Sequence, residues 1–293
     1  MNGVSLGAIY ALIALGYTMV YGILRFINFA HGDVFMLGAF AGYYLAPVVG
    51  RYLTLPGIFG TAVLFLLCMA ICAVIGVVIE KLAYRPLRQR PKLTVLIAAI
   101  GVSLLLENGG QKIFNPDPKP FPRLIPEFPA GMTGATLVDS NQVLLVVVTL
   151  LLLWGLHAVV WKTRMGTAMR AVSLNPQAAA LVGVNIDAVI SFTFGLGSAL
   201  AAAGGLLYAM RYPSIEPLMG IMPGLKAFVA AVLGGIGSIP GAALGGLILG
   251  VVETLISGYV SSRYRDGIAF VVLILILLWK PAGLLGKKEI EKV

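Results

Sequence analysis

The stretch Trp161–Asp187, WKTRMGTAMRAVSLNPQAAALVGVNID, separates two long apolar runs and consists largely of small, polar and basic residues. A loop that only joins two membrane helices needs a few residues, whereas this one has room for two short helices and a turn. It is large enough to be a docking surface. The stretch therefore predicts a membrane protein that carries a structured loop outside the bilayer.

The composition of the whole chain supports the same class. Hydrophobic residues make up 59% of the 293 residues and charged residues 11%, whereas soluble domains have about 25% charged residues. A helix needs about 20 apolar residues to cross a bilayer, and several runs reach that length. We expect an all-α, polytopic transmembrane helical bundle formed by a single domain, residues 1–293. We expect this bundle to have about eight or nine apolar segments. The candidates are approximately 4–23, 35–49, 58–79, 93–110, 143–161, 188–209, 221–235, 242–257 and 267–280.

The distribution of lysine and arginine predicts the orientation. The connection Glu80–Lys92 contains five basic residues and one acid, and the segment 162–187 and the tail 281–293 are also basic. The proline-rich loop 111–141 is balanced in charge. Because basic loops stay in the cytoplasm, we expect the loop 111–141 outside, the other three regions inside, an exterior N-terminus and a cytoplasmic C-terminus. The stretch 1–23 has no basic residue before its apolar run, which favours a retained span over a cleaved signal.

Two polar or glycine-rich breaks interrupt the apolar pattern. They are NFAHGD (Asn28–Asp33) near the beginning and LGGIGSIPG (Leu233–Gly241) near the end. The segments around them, 35–49, 221–235, 242–257 and the last one, are short for full spans, so some helices are expected to be broken or re-entrant. Irregular backbone at membrane depth is tolerated only where protein or a water-filled cavity surrounds it, and paired breaks point to a transport path. They are compatible with an internal pseudo-repeat, although residue identity between them is slight.

Several polar residues and glycines are candidates for that path. An aspartate near the bilayer centre costs about 2.5–3.5 kcal/mol, so polar side chains in these segments should face protein or a cavity. For the residues of the first break two alternatives stay open: they line or gate the path, or they pair with each other or with Arg25 at a cytoplasmic turn. The short turn between their segments favours a buried Lys226–Glu253 pair. The path candidates are Asn28, His31, Asp33, Lys226, Gly234, Gly235 and Glu253.

The segment 162–187 contains its own helix signals. Residues 166–180 predict a short helix that is broken near Asn175, where Pro176 suits the first turn of a new helix. Asn175 is a candidate N-cap for a second helix, and Gly183 is a candidate left-handed stop. The alternative is a solvated connector without a partner.

Family resemblance adds to this interpretation. The run GTAMRAVSLNPQAAALVGVN resembles the cytoplasmic coupling segment of membrane subunits in ABC importers of branched-chain amino acids. Three further stretches agree: YALIALGYTMVYGILRFINFAHGDVFMLGAF, AYRPLR and GLKAFVAAVLGGIGSIPGAALGGLILG. The resemblance covers most of the chain and is closest to the smaller permease subunit of the leucine/isoleucine/valine system.

The resemblance implies a permease in a bacterial inner membrane, with a second permease subunit of similar fold, two ATP-binding subunits and an extracytoplasmic substrate-binding protein as partners. It also implies that part of the segment 162–187 contacts the ATP-binding subunits. The residues to which this role is carried over are Arg170, Ala171, Asn175, Ala178, Ala179 and Gly183.

The sequence has no phosphate loop of the form G-x-x-x-x-G-K-[ST]. We therefore expect no catalytic residue, metal or cofactor in this chain, with ATP used by partner subunits, and no nucleic-acid partner. Two other functions stay open: a stand-alone channel or secondary carrier for a small polar solute, and an ABC permease for urea or short amides. An intramembrane enzyme is disfavoured because no H-E-x-x-H-like constellation occurs.

Overall fold

The computed structural model describes residues 1–53, 57–124, 129–130 and 138–286, and helices dominate it. Parts of the loop 111–141 and of the tail 281–293 lie outside the described residues, including the tail's Lys287, Lys288 and Lys292. The helices are α1 (Asn2–Leu24), α2 (His31–Leu53), α3 (Gly57–Ile79), α4 (Lys92–Phe114), α5 (Ser140–Lys162), α6 (Arg164–Leu174), α7 (Pro176–Leu181), α8 (Ile186–Arg211), α9 (Ile221–Gly234), α10 (Ile239–Tyr259) and α11 (Arg265–Trp279).

Short elements join these helices. A π-helical turn (Glu80–Tyr84) and a 3₁₀ turn (Arg85–Leu87) follow α3, and another 3₁₀ turn (Ser262–Tyr264) precedes α11. Four two-residue strands form two antiparallel pairs. The strand β1 (Lys119–Pro120) pairs with β4 (Ser214–Ile215), and β2 (Pro129–Ala130) pairs with β3 (Val138–Asp139). The first pair ties the loop after α4 to the loop after α8.

The expected helical bundle is confirmed, and in the described part of the chain seven helices are long and apolar enough to cross a membrane. The helices α9 and α11 are short, with 14 and 15 residues, as the sequence suggests. The prediction that the second and eighth segments are short is wrong, because α2 has 23 residues and α10 has 21. In α2, a segment counted by its apolar residues stops at polar residues such as His31 and Asp33. The helix includes both residues because protein surrounds them, and each is 2% exposed.

The helices α1 and α8 lie at the centre of the bundle. Nearly all of the apolar window of each is buried, 89% and 83% respectively, whereas only 17% of the α4 window is buried. The outer helices α3, α4 and α5 expose large apolar side chains such as Leu105 and Trp154. This pattern is expected for helices in contact with lipid, since hydrocarbon chains solvate such side chains.

Glycines allow α1 and α10 to pack closely and antiparallel to each other. A Cβ at Gly7 would lie 2.7 Å from the Cα of Leu247, and a Cβ at Gly250 would meet the backbone of Gly7. Such close approach compensates for the weak hydrophobic driving force between helices in lipid. It positions the centre of the bundle, where the short helix α9 also packs against α1 and α10.

Candidate functional site

The segment 162–187 folds into two capped helices. The Thr163 side chain caps α6 by accepting a hydrogen bond from the Gly166 N–H at 3.0 Å. Asn175 Oδ1 accepts one from the Ala178 N–H at 3.0 Å, and Pro176 is the first residue of α7. Gly183 has a φ of +87°, where a side chain would be strained. The predicted break, N-cap and stop are all confirmed.

The residues carried over from the family divide into exposed and packed positions. Asn175, Ala178 and Gly183 are exposed, whereas Ala179 is 4% exposed. Half-buried Arg170 donates a hydrogen bond to the Val160 carbonyl and lies over the Trp161 ring, with its Cζ 4.7 Å from the ring centroid. Arg170 therefore fastens α6 to the end of α5.

Three large apolar side chains on this segment were not predicted as site residues. Leu174, Leu181 and Val182 are 83%, 90% and 79% exposed. Each is a bulky apolar residue in a segment that the charge pattern puts outside the bilayer, and that contrast was the available signal. Together with Ala178 they give the segment an apolar surface.

The first break forms a turn that re-enters the bundle before α2. His31 is 2% exposed, and its Nε2 has no hydrogen-bond partner among the described residues. A Cβ at Gly16 would collide with this imidazole. Because Gly16 precedes the end of α1 by eight residues and a helix rises 1.5 Å per residue, α2 begins roughly 12 Å inside the bundle.

The other two polar residues of the break have specific partners. The buried side chain of Asn28 accepts a hydrogen bond from the Tyr84 hydroxyl at 2.6 Å. The Asp33 carboxylate, in the first turn of α2, accepts one from Ser103 on α4, and that hydroxyl also lies 3.4 Å from Glu107. The structure thus ties this turn to the π-helical turn after α3 and to α4.

The N-terminus of α9 meets the N-terminus of α2. The Gly220 and Gly32 backbones are in contact, and a Cβ at Gly224 would lie 3.0 Å from the Gly32 Cα. Two helix N-termini, each carrying a partial positive charge, therefore lie together inside the bundle. Helix N-termini that lie at this depth are typical of a transport path.

The second break is covered by the chain after α11. Gly235 has a φ of +105°, and Gly234 packs on the Gly241 backbone. The N–H groups of Leu284 and Leu285 donate to the carbonyls of Leu233 and Gly234, each at 2.9 Å. Two carbonyls at the end of α9 are therefore hydrogen-bonded to this segment.

The expected Lys226–Glu253 pair is confirmed. Lys226 Nζ lies 2.8 Å from Glu253 Oε1, and the two residues are 3% and 0% exposed. The sequence did not indicate the other members of this network. Tyr10 on α1 donates to Glu253 Oε2 at 2.9 Å, Arg265 pairs with Glu253, and Asp266 lies 2.6 Å from Lys226. The network joins α1, α9, α10 and the beginning of α11.

A second ion-pair network, also not predicted, joins the turns after α3 to the beginning of α8. Arg88 Nη1 lies 2.7 Å from Asp187 Oδ1, its Nη2 pairs with Glu80, and Arg85 pairs with the other oxygen of Asp187. Glu80 is fully buried and also accepts a hydrogen bond from Ser191 at 2.6 Å. Burial lowers the pKa of the Arg88 guanidinium, and Asp187 acts in the opposite direction. An open pocket of about 590 Å³ lies beside this network.

Three features define a multi-pass membrane transport subunit. Its apolar helices expose their outer faces, two helix N-termini meet inside the bundle, and a capped helical segment lies beyond the spans. The chain belongs to the family of permease components of branched-chain amino acid transport systems, whose model matches residues 1–277. It is a multi-pass inner-membrane protein.

Relatives match over all or most of the length of the chain. The high-affinity branched-chain amino acid transport system permease protein BraD of Pseudomonas aeruginosa is 42% identical, over 100% of this chain and 96% of its own. LivH of Escherichia coli, which has the same description, is 43% identical over the same shares. A ribose import permease protein of Escherichia coli is 28% identical over 92% of this chain and 82% of its own. No solved structure matches the chain.

Proposed function

We propose that this chain is the permease subunit of an ATP-driven importer and forms part of the translocation path for branched-chain or related amino acids. The substrate class follows from the names of the relatives that match end to end. The partners in this proposal are a second permease subunit of similar fold, two ATP-binding subunits and an extracytoplasmic substrate-binding protein. ATP is bound and hydrolysed by the partner subunits.

The apolar surface on the segment 162–187 carries this proposal. Leu174, Leu181 and Val182 remain solvent-exposed in the isolated chain, and large apolar side chains in water favour a partner that buries them. The caps at Asn175 and Gly183 hold the backbone of α7 in place before any partner binds. A docked ATP-binding subunit would therefore displace α7 as one rigid piece.

The contacts at one end of the bundle support a cytoplasmic location for that end. Arg85 pairs with Asp187, Tyr84 packs on Phe26, and Gly22 approaches Gly237, so the basic turn, the segment 162–187 and the second break lie together. Lysines and arginines predominate there, and such an end is retained in the cytoplasm. The N-terminus then lies outside and the C-terminus inside.

The meeting point of α2 and α9 is the proposed location of the path. Two helix N-termini suit the carboxylate of an amino acid, while Asn28, His31 and Asp33 would line or gate the approach. Gly234 and Gly235 would border the path at its cytoplasmic end. Lys226 and Glu253 are buried and neutralise each other, which supports a bracing role beside the path.

Co-purification tests this function. The tagged chain, extracted in mild detergent from membranes of its source, should bring with it ATP-binding subunits. Leu181→Arg should weaken that association about 30-fold, as for a loss of roughly 2 kcal/mol at an interface hot spot. Leu181→Met, which keeps the apolar bulk, is the matched control and should retain binding.

Experiments on the purified chain also discriminate between a permease subunit of an ATP-driven importer and a stand-alone channel or secondary carrier. Ala178→Arg is a second informative variant because Ala178 is exposed, whereas Ala179→Arg would disturb packing at a buried position. Transport by the isolated chain in vesicles without ATP would contradict the importer and favour a channel or secondary carrier.

A further inference from the structure

The beginning of α8 is closely linked to α7. The Val184 N–H donates to the Ala179 carbonyl at 3.0 Å, so the chain folds back on α7 as it leaves the helix. The Asn185 side chain then caps α8 by accepting a hydrogen bond from the Ala188 N–H at 3.0 Å. Asp187 lies in that first turn. A displacement of α7 therefore reaches the first turn of α8, and with it Asp187, through the four hydrogen-bonded residues 182–185.

Two carboxylates then connect α8 to the turns after α3. One belongs to α8 and the other to the π-helical turn. Asp187 on α8 pairs with Arg85 and Arg88, and Glu80 on the π-helical turn accepts from Ser191 on α8. Arg88 also pairs with Glu80, so its guanidinium bridges both carboxylates. Charge-assisted bonds of this kind are directional and stronger than neutral ones.

Tyr84 continues the connection to the re-entrant turn. It is the last residue of the π-helical turn, and it is fully buried against Phe26 and Phe194, with both ring-centroid distances at 5.4 Å. Its hydroxyl donates to Asn28 at 2.6 Å. π-helical turns occur frequently at functional sites. Here the π-helical turn links Arg88, which pairs with Glu80 at its beginning, to Asn28, which contacts Tyr84 at its end.

We propose that Asp187, Arg88, Glu80 and Tyr84 form a coupling relay, which transmits the displacement of α7 to the turn at Asn28 and so to the N-terminus of α2. The inference rests on the proposed function, because it requires an ATP-binding subunit docked on the segment 162–187. It adds the route by which docking reaches the path, and it assigns a role to the turn AYRPLR.

The exposure of Asp187 and of its second partner, Arg85, suits a contact that rearranges. The side chains of Arg85 and Asp187 are 43% and 45% exposed, whereas that of Glu80 is fully buried. Water can solvate the exposed partners when the contact opens, so the cost of opening is small. Glu80 keeps Ser191 and Arg88 as partners during that change. The contact of Asp187 is therefore the mobile one, and the contact of Glu80 with Arg88 and Ser191 is the permanent one.

Measuring transported amino acid per ATP hydrolysed tests the relay. The complete complex, reconstituted in vesicles with its binding protein, is assayed with radiolabelled leucine and for phosphate release. Asp187→Asn and Arg88→Gln should each lower the ratio about 5- to 10-fold while the ATP-binding subunits still co-purify. The double variant should be no worse than the more severe single variant, because the relay is a series of contacts and either change already interrupts it.

Two further variants sharpen the test. Tyr84→Phe removes only the hydroxyl at the far end of the relay and should also lower the ratio. Arg90→Gln changes a charge in the same turn that forms no ion pair among the described residues, so the ratio should stay unchanged. A thermal unfolding midpoint for each variant separates loss of coupling from loss of folding.

The outcomes separate the two proposals. Transport and ATP hydrolysis that fall together at an unchanged ratio in Asp187→Asn would overturn the relay, as would multiplicative effects in the double variant. Loss of the ATP-binding subunits on Asp187→Asn would assign this residue to docking, which overturns the relay and leaves the proposed function intact. An unaltered complex without ATP-dependent uptake would overturn both.

Discussion

The two ion-pair networks of this protein are built alike and placed differently. Each has a fully buried glutamate at its centre, Glu253 in one and Glu80 in the other. The network of Glu253 is enclosed by α1, α9 and α10, and reaches the surface through Asp266 and Arg265 at the beginning of α11. The network of Glu80 lies where α3 and α8 end and begin, and it opens to solvent through Asp187 and Arg85.

The difference in placement separates a fixed contact from a mobile one. Removing one partner of a buried ion pair leaves an uncompensated charge, which costs about 3–5 kcal/mol. An exposed pair contributes about 0–1 kcal/mol because water replaces the lost partner. The enclosed network therefore holds α9 in register with α1 and α10. The open network can exchange partners without unfolding the protein.

Glu253→Ala should have the largest effect on stability. Lys226 would keep only the exposed Asp266 as a partner and Arg265 would lose its carboxylate, so the free energy of unfolding should fall by about 3–5 kcal/mol. Thermal unfolding of the purified protein in detergent measures this change. The double variant Lys226→Met with Glu253→Met should cost less than the sum of its two single variants, and simple additivity would contradict a coupled network.

Glu80→Gln should have an intermediate effect. Glutamine keeps the shape and the acceptor for Ser191 but loses the charge that faces Arg88, and a loss of about 1–3 kcal/mol is expected for a buried, charge-assisted contact. Lys81→Gln, an exposed neighbour, is the control and should lie within about 0.5 kcal/mol of the unaltered protein. A loss as large as that of Glu253→Ala would show that the two networks do not differ.

Asp187→Asn should have the smallest effect on stability. Because its side chain is 45% exposed, the free energy of unfolding should change by no more than about 1 kcal/mol. The coupling ratio should nevertheless fall, as proposed above for the relay. A variant that unfolds at a clearly lower temperature would place Asp187 with the fixed contacts and remove the contrast.

Local features of the site were predictable from the sequence. Asn175 and Gly183 act on their own neighbouring residues, so cap and stop signals suffice to find them. The Lys226–Glu253 pair was also predictable, because a short turn makes their helices neighbours and a charged side chain in an apolar segment needs a partner. The expected bundle and its short helices α9 and α11 follow from the same apolar pattern.

Contacts between distant parts of the chain were not predictable. Arg88 and Asp187 are 99 residues apart, and Tyr10 and Glu253 are 243 apart. Each of these residues has an ordinary separate explanation in the sequence: basic residues belong in cytoplasmic loops, and a tyrosine fits an apolar helix. The predicted length of α2 is too short because an apolar run stops at polar residues such as His31 and Asp33, whereas the helix includes them where protein surrounds them.

The sequence by itself determined the class of protein, the approximate position of the apolar helices, and the two capped helices outside them, because each depends on the chemistry of neighbouring residues. Tertiary structure alone decided which helices lie at the centre, where α2 and α9 meet, and which charges pair. Those features depend on the close approach of helix backbones at glycines such as Gly7 and Gly32, and that approach sets distances between residues far apart in the chain.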